Sequence, residues 1–165
     1  MKHRDIKAFS LVEVTLALGV AAICLLSIFG LLPIGLNSNQ ASVEQTTAAS
    51  LARAIVSDLR AAPITSGSSS GFGINFPTST TAVNHTLWLT EWGTKAGDID
   101  TQADPANNPR YRALVTLTPP STTTSKSATF VRMVISWPAM ADRTPNVDPS
   151  HAAGTFESVT ALDRN

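Results

Sequence analysis

Between Val14 and Val43 the chain carries no Asp, Glu, Lys, Arg or His, and the stretch from Val14 to Leu36 is almost wholly apolar. A helix needs about 20 such residues to cross a bilayer, and a soluble domain seldom places so long an uncharged run in one helix. Glu13 stands at the edge of this run. A carboxylate inside a membrane segment costs roughly 2.5 to 3.5 kcal/mol at mid-membrane, and less near the interface, so a retained one calls for a partner. Upstream lies a short polar leader, Met1 to Ala8, with Lys2, Arg4 and Lys7 against Asp5. A cut between Ala8 and Phe9 would create an α-amino group four residues from Glu13. That amine has the sign needed to neutralise Glu13, in its own chain or in a neighbour packed alongside.

The segment Ala8-Phe9-Ser10-Leu11-Val12-Glu13-Val14-Thr15-Leu16 resembles the cleavage and methylation site of prepilin-type proteins, the type IV pilins and type II secretion pseudopilins. The elements of the resemblance are a basic leader, a small residue before the cut, an aromatic after it, the glutamate and the long apolar run. Phe9 to Arg60 is also similar to the prepilin-like family called Verru_Chthon cassette protein B. The resemblance implies cleavage between Ala8 and Phe9 by a prepilin peptidase, N-methylation of Phe9, and pairing of Glu13 with the Phe9 amine of a neighbouring subunit. The chain departs from the family in two places. The family usually has Gly before the cut, where this chain has Ala8, and its helix-bending proline sits about three residues before Pro33, where this chain has Gly30.

Three other readings of the N-terminus compete. A secretory signal peptide has a shorter apolar region, closed by a small-residue cleavage site that is missing here. A plain single-pass anchor accounts for the length but not for Glu13. A buried helix of a soluble domain fits poorly with so long an uncharged stretch. Lys2, Arg4 and Lys7 should stay cytoplasmic and the remainder be translocated. Together with the resemblance, this implies a single-pass protein of a bacterial inner membrane with its head in the periplasm. Its partners would be membrane lipid, the peptidase and other pilin or pseudopilin subunits.

With 165 residues there is room for one long helix and one modest domain. Formal charge is zero and charged residues make up 15% of the chain, which gives no basis for expecting nucleic acid as a partner. The one cysteine, Cys24, lies in the apolar run and precludes an intrachain disulfide. Many type IV pilins carry such a bond, so its absence leans toward a pseudopilin or minor pilin. Cys24 reads as a small packing residue. Ala17, Gly19, Ala21, Ala22 and Ser27 would let neighbouring helices approach, or are ordinary membrane-helix composition.

Beyond Pro33, Gly35 and Asn37, a place for kinking or unwinding, the sequence turns polar but keeps a helical stripe. Val43, Thr47, Leu51, Ile55 and Leu59 recur every fourth residue with Ala48, Ala52 and Val56 beside them, while Glu44, Arg53 and Asp58 occupy other faces. Pro63 should end the helix near Ala61-Ala62. A helix from Phe9 to Ala62 would be roughly 80 Å long, well beyond what a bilayer requires. Ile64 to Thr81 reads as a loop or loosely ordered connector. Asn84 to Thr90 (with Trp88), Tyr111 to Thr118, Thr129 to Trp137 and Thr155 to Leu162 read as strands. The predicted organisation is leader 1–8, membrane and filament-core helix 9–36, amphipathic helix 37–62, connector 63–83 and β-rich head 84–165. The fold class is α+β and pilin-like: a long helix packed on a small antiparallel sheet.

Signatures of catalysis are missing. His3, His85 and His151 stand far apart, and no nucleophile elbow, zinc-binding helix motif or phosphate loop is present. Asp98, Asp100 and Asp104, with Gln102, are a weak calcium candidate, with oxygen ligands at alternate positions but without the glycine and closing glutamate of a calcium loop. A solvated acidic turn is the default reading, and no cofactor is expected. The chain is thus expected to be a structural subunit of a pseudopilus or pilus-like filament in a secretion system, and not an enzyme. The alternative is a surface-displayed minor pilin whose head binds a ligand or DNA, which an exposed aromatic patch at Trp88 or Trp92 would favour.

Overall fold

The computed structural model describes residues 10–63, 65–121 and 128–163. The chain is α+β: one long N-terminal helix, α1 (Leu11–Ala61), and a four-stranded antiparallel sheet. By its contacts the chain divides after Ala41 into two units.

In the first unit α1 begins at Leu11, just after Ser10, whose carbonyl accepts from the amides of Glu13 and Val14 at 3.0 and 3.2 Å. The helix passes Pro33 without interruption, so the expected weak point at Gly30, Pro33 and Gly35 leaves the element intact.

In the second unit α1 carries on to Ala61, within the Ala61-Ala62 end expected from Pro63, with Arg60 in the last turn near the negative end of the helix dipole. Strands β1 (Val83–Leu89), β2 (Tyr111–Thr118), β3 (Thr129–Trp137) and β4 (Gly154–Leu162) form a meander in chain order. Their alternation puts Leu87, Leu89, Ala113, Val115, Leu117, Val131, Met133 and Ile135 on one face, packed with Ala48, Leu51, Ala52, Ile55 and Leu59 of α1. This is one core.

The stripe differs from expectation at its first turn. Val43 is exposed and Glu44 is buried in its place. A carboxylate is tolerated there because the Arg110 guanidinium and the Tyr111 hydroxyl both donate to it, tying α1 to the start of β2.

The connector is also more ordered than its composition suggests. Ile74 is fully buried and Phe76 nearly so. Asp58, expected on a face away from the stripe, accepts the amides of Gly71 and Phe72 at 2.7 and 2.9 Å and so anchors the loop to α1. Burial raises the Asp58 pKa, but hydrogen bonds from Ser69, Phe72 and Gly71 outweigh it, and the carboxyl sits below its ordinary value. A Cβ at position 71 would lie 2.8 Å from the Asp58 carboxylate, so a larger residue there would push that carboxylate aside.

Loops cover the opposite face of the sheet around Trp88 and Arg112, while Phe130 of β3 and Val159 of β4 stay exposed there. Trp88 packs there with Ala96, Ala103 and Ala139, and its indole N–H donates to the Thr101 carbonyl at 2.8 Å. The buried Arg112 guanidinium lies 5.8 Å from the Trp88 ring centroid and donates to the carbonyls of Thr144 and Val147. Burial pushes its pKa down, while Asp142 and Asp148 pull it back up.

Candidate membrane and assembly segment

From Val14 to Leu36 the described side chains other than Thr15 and Ser27 are apolar, and they are exposed on every helical face. Leu11, Val12, Leu16, Leu18, Ile23, Leu26, Phe29, Leu31 and Leu36 are all exposed, and the most apolar window, with mean hydropathy 2.5, has none of its residues buried. This is a helix long and apolar enough to cross a membrane. An amphipathic surface helix would show one polar face, and this segment has none. Its hydroxyls are turned inward onto the backbone: Thr15 donates to the Val12 carbonyl at 3.0 Å and Ser27 to the Ile23 carbonyl at 2.9 Å. Groups satisfied in this way can enter lipid without leaving a donor unpaired.

Glu13 is the acidic residue of the first turn. Its position three residues after Ser10 is one where unpaired amides and the helix dipole favour negative charge, worth about 0.3 to 1 kcal/mol at an exposed site. This local role coexists with any intersubunit one. Beside Glu13, the small side chains of Ala17 and Ala21 leave a shallow notch bordered by Val14 and Leu18. Gly19, Gly30 and Gly35 have open space where a Cβ would stand, so no contact within the described structure explains them. Cys24 is exposed on the same segment. Ala8 and Phe9, the expected cleavage and methylation positions, lie outside the described residues.

In the head, the three candidate calcium ligands do not converge. Asp100 accepts the Thr86 amide through Oδ1 at 2.7 Å and contacts His85 Nδ1 through Oδ2 at 2.7 Å. Asp104 caps the short turn Pro105–Asn107 by accepting the Ala106 amide. Asp98 meets Thr101 through its backbone carbonyl. Among the described residues no group of three or more His, Cys, Asp and Glu is placed to hold a metal ion. The buried His85 also meets the Asn75 carbonyl at 3.0 Å, so it links the connector to the acidic turn as a packing residue.

Of the two tryptophans expected to mark a binding patch, Trp88 is buried, whereas Trp92 is 83% exposed. Trp92 sits in a tight turn closed by the Thr90 amide on the Thr94 carbonyl at 2.9 Å, with Gly93 at φ +78°. Glycine fits there for two reasons, since a Cβ would also come 2.8 Å from Leu51. Trp92 borders an open cleft of about 610 Å³ that Val43, Thr47, Asn108 and Arg110 also line.

Another polar cluster went unrecognised in the sequence. Asp142 accepts the amides of Ser150 and His151 at 3.1 and 3.0 Å and meets His151 Nδ1 at 3.0 Å. Burial raises its pKa, but hydrogen bonds from His151 and Ser150 outweigh this and lower it to about 2. Ser150 Oγ and Asp142 both contact the same imidazole nitrogen, so the three do not form a proton relay.

No family model matches the chain, and searches of curated proteins and of solved structures return no match.

Proposed function

We propose that this protein is a membrane-anchored structural subunit of a pilus-like or pseudopilus filament, of the kind found in type II secretion systems. In this reading a prepilin peptidase removes residues 1–8, Phe9 is methylated, and the Phe9 amine of one subunit neutralises Glu13 of the next. The observation that carries the proposal is the N-terminal half of α1, apolar on every face to Leu36, with one carboxylate in its first turn. A plain anchor needs the apolar surface but not the charge. In a filament the same surface is covered by neighbouring helices, and Glu13 in that low-dielectric setting is compensated only when a cation opposes it in register. The head would then lie in the periplasm, carried by the second half of α1.

Glu13→Leu separates the two uses of the helix. It should leave membrane insertion unchanged or slightly easier, because a charge is removed from the apolar segment. It should also abolish crosslinking to other filament subunits, because the register-setting pair is gone. A variant that assembles as well as the original chain would contradict the proposal. A second reading, a head that binds a ligand at the filament surface, is favoured by the exposed Trp92. Loss of ligand binding in Trp92→Ala with assembly intact would support it.

A further inference from the structure

The two edges of the sheet are treated differently. The outer edge of β1 is covered by the segment that follows it: the Ala96 amide donates to the Trp88 carbonyl at 2.7 Å, the Asp100 amide donates to the Thr86 carbonyl at 3.0 Å, and Asp100 Oδ1 takes the Thr86 amide. β4 forms the other edge. Among the described residues, the backbone partners of Gly154–Leu162 all belong to β3. β4 also lacks the usual devices that discourage pairing. It contains no proline and no lysine, and its one charge, Glu157, is held by Arg132 at 2.6 Å. A nine-residue edge with these properties is a template for another strand.

Beside that edge runs a groove of about 460 Å³ between β4 and α1. Ala49, Ala52 and Val56 line its helix side and Phe156 its strand side, so it is apolar at its base. Arg53 and Arg60 stand at its rim, both exposed. Arg60 donates to the Thr160 hydroxyl at 3.1 Å, and among the described residues neither arginine forms an ion pair with a carboxylate. A strand laid along β4 would drop alternate side chains into this groove over the small alanines and present its own charges to the arginines.

We propose that the free edge of β4 and this groove form a strand-addition site for an extended, carboxylate-bearing segment of a different protein. Backbone groups of β4 supply the affinity, the alanine-floored groove selects small apolar side chains at alternate positions, and Arg53 and Arg60 select negative charge. A second copy of β4 is a poor occupant. It would bring only Glu157, already engaged by Arg132, and would set like-charged helix rims near each other. The inference uses only residues 49–163 and stands apart from the role of the membrane segment.

The test uses the full-length protein in detergent micelles and labelled synthetic peptides of the same length as β4. One alternates Val and Thr between terminal Asp residues, a second carries Lys in place of Asp, and two more N-methylate either alternate half of the acidic peptide's amides. Fluorescence anisotropy should show the acidic peptide binding at least about tenfold tighter than the lysine peptide, and Arg53→Glu with Arg60→Glu should reverse that order. One N-methylated peptide should lose binding and the other keep it, since only alternate amides of an added strand face its neighbour. Equal affinity for the acidic and lysine peptides, tolerance of both methylation patterns, or crosslinking of Val159→Cys chiefly to a second copy of the chain would overturn the proposal.

Discussion

Replacing Glu44 by alanine tests how the head is fastened to its helix. Glu44 is 7% exposed and receives two donors, the Tyr111 hydroxyl and the Arg110 guanidinium. Their fates after the substitution differ. Tyr111 is 3% exposed, so its hydroxyl would be left without an acceptor, at about 1 to 3 kcal/mol. The Arg110 side chain is 42% exposed and can return to water, so its lost pairing costs no more than about 1 kcal/mol. The one buried methylene lost beyond Cβ adds roughly 0.8 kcal/mol. The sum is about 3 kcal/mol, or roughly 12 °C in Tm for a head of about 120 residues. Glu44→Gln keeps the side-chain length and an acceptor oxygen and should lose only about a third of that. The decisive assay is thermal melting followed by near-UV circular dichroism across the cycle Glu44→Ala, Tyr111→Phe and the double variant. Because Tyr111→Phe removes the orphaned hydroxyl, the double variant should be more stable than the sum of the single losses predicts, by about 1 kcal/mol or more. A Glu44→Ala loss below about 2 °C, or strictly additive losses, would refute the account of Glu44 as the polar tie between helix and sheet.

Ile55→Ala, at a fully buried position on the helix stripe, should cost about 2 to 5 kcal/mol, while Val43→Ser should change Tm by less than the assay error, a contrast visible in one set of melts. Asp142 has its folded pKa lowered to about 2 from an ordinary 3.8, so it binds protons more weakly in the folded state. Its contribution is complete above about pH 4 and is lost as pH falls through about 2. Asp142→Asn should therefore flatten the acid limb of a stability-versus-pH curve by on the order of 1 kcal/mol, a value reduced for the exposure of its partner His151. A fragment beginning at Asn37 should be soluble and melt cooperatively, because the buried core begins only at Ala48.

Several elements could be read directly from the sequence. Pro63 ended α1 within a residue, and β2 and β3 run over the expected residues because each is a β-prone stretch bounded by turn residues. The exchange of Val43 for Glu44 has a geometric origin. Residues spaced by four drift about 40° around a helix of 3.6 residues per turn, so a stripe anchored at Leu51 and Ile55 reaches position 44, not 43, after two turns. That a glutamate could occupy it depended on Arg110 and Tyr111, 66 and 67 positions away in the chain, and no local pattern signals such a partner. The same holds for Asp58, whose role depends on the backbone amides at positions 71 and 72, and for Arg112, which alternation in β2 assigns to an outer face that loops then cover. Asp98, Asp100 and Asp104 misled as a group because alternate spacing suggests convergence, whereas backbone amides had engaged two of the three separately. Glu13 stands out in the sequence as a charge at the edge of an uncharged run, and its pairing with Phe9 is the proposal made above.

The most direct measurement of the central claim is the intact and N-terminal mass of the protein purified from its native membrane with an active prepilin peptidase present. The account predicts a chain beginning at Phe9, lacking residues 1–8 and carrying one additional methyl group on its amine, and it predicts that a bulky replacement of Ala8 leaves the leader in place. Recovery of only the full-length chain, with its N-terminus at Met1 and Phe9 unmodified, would contradict it.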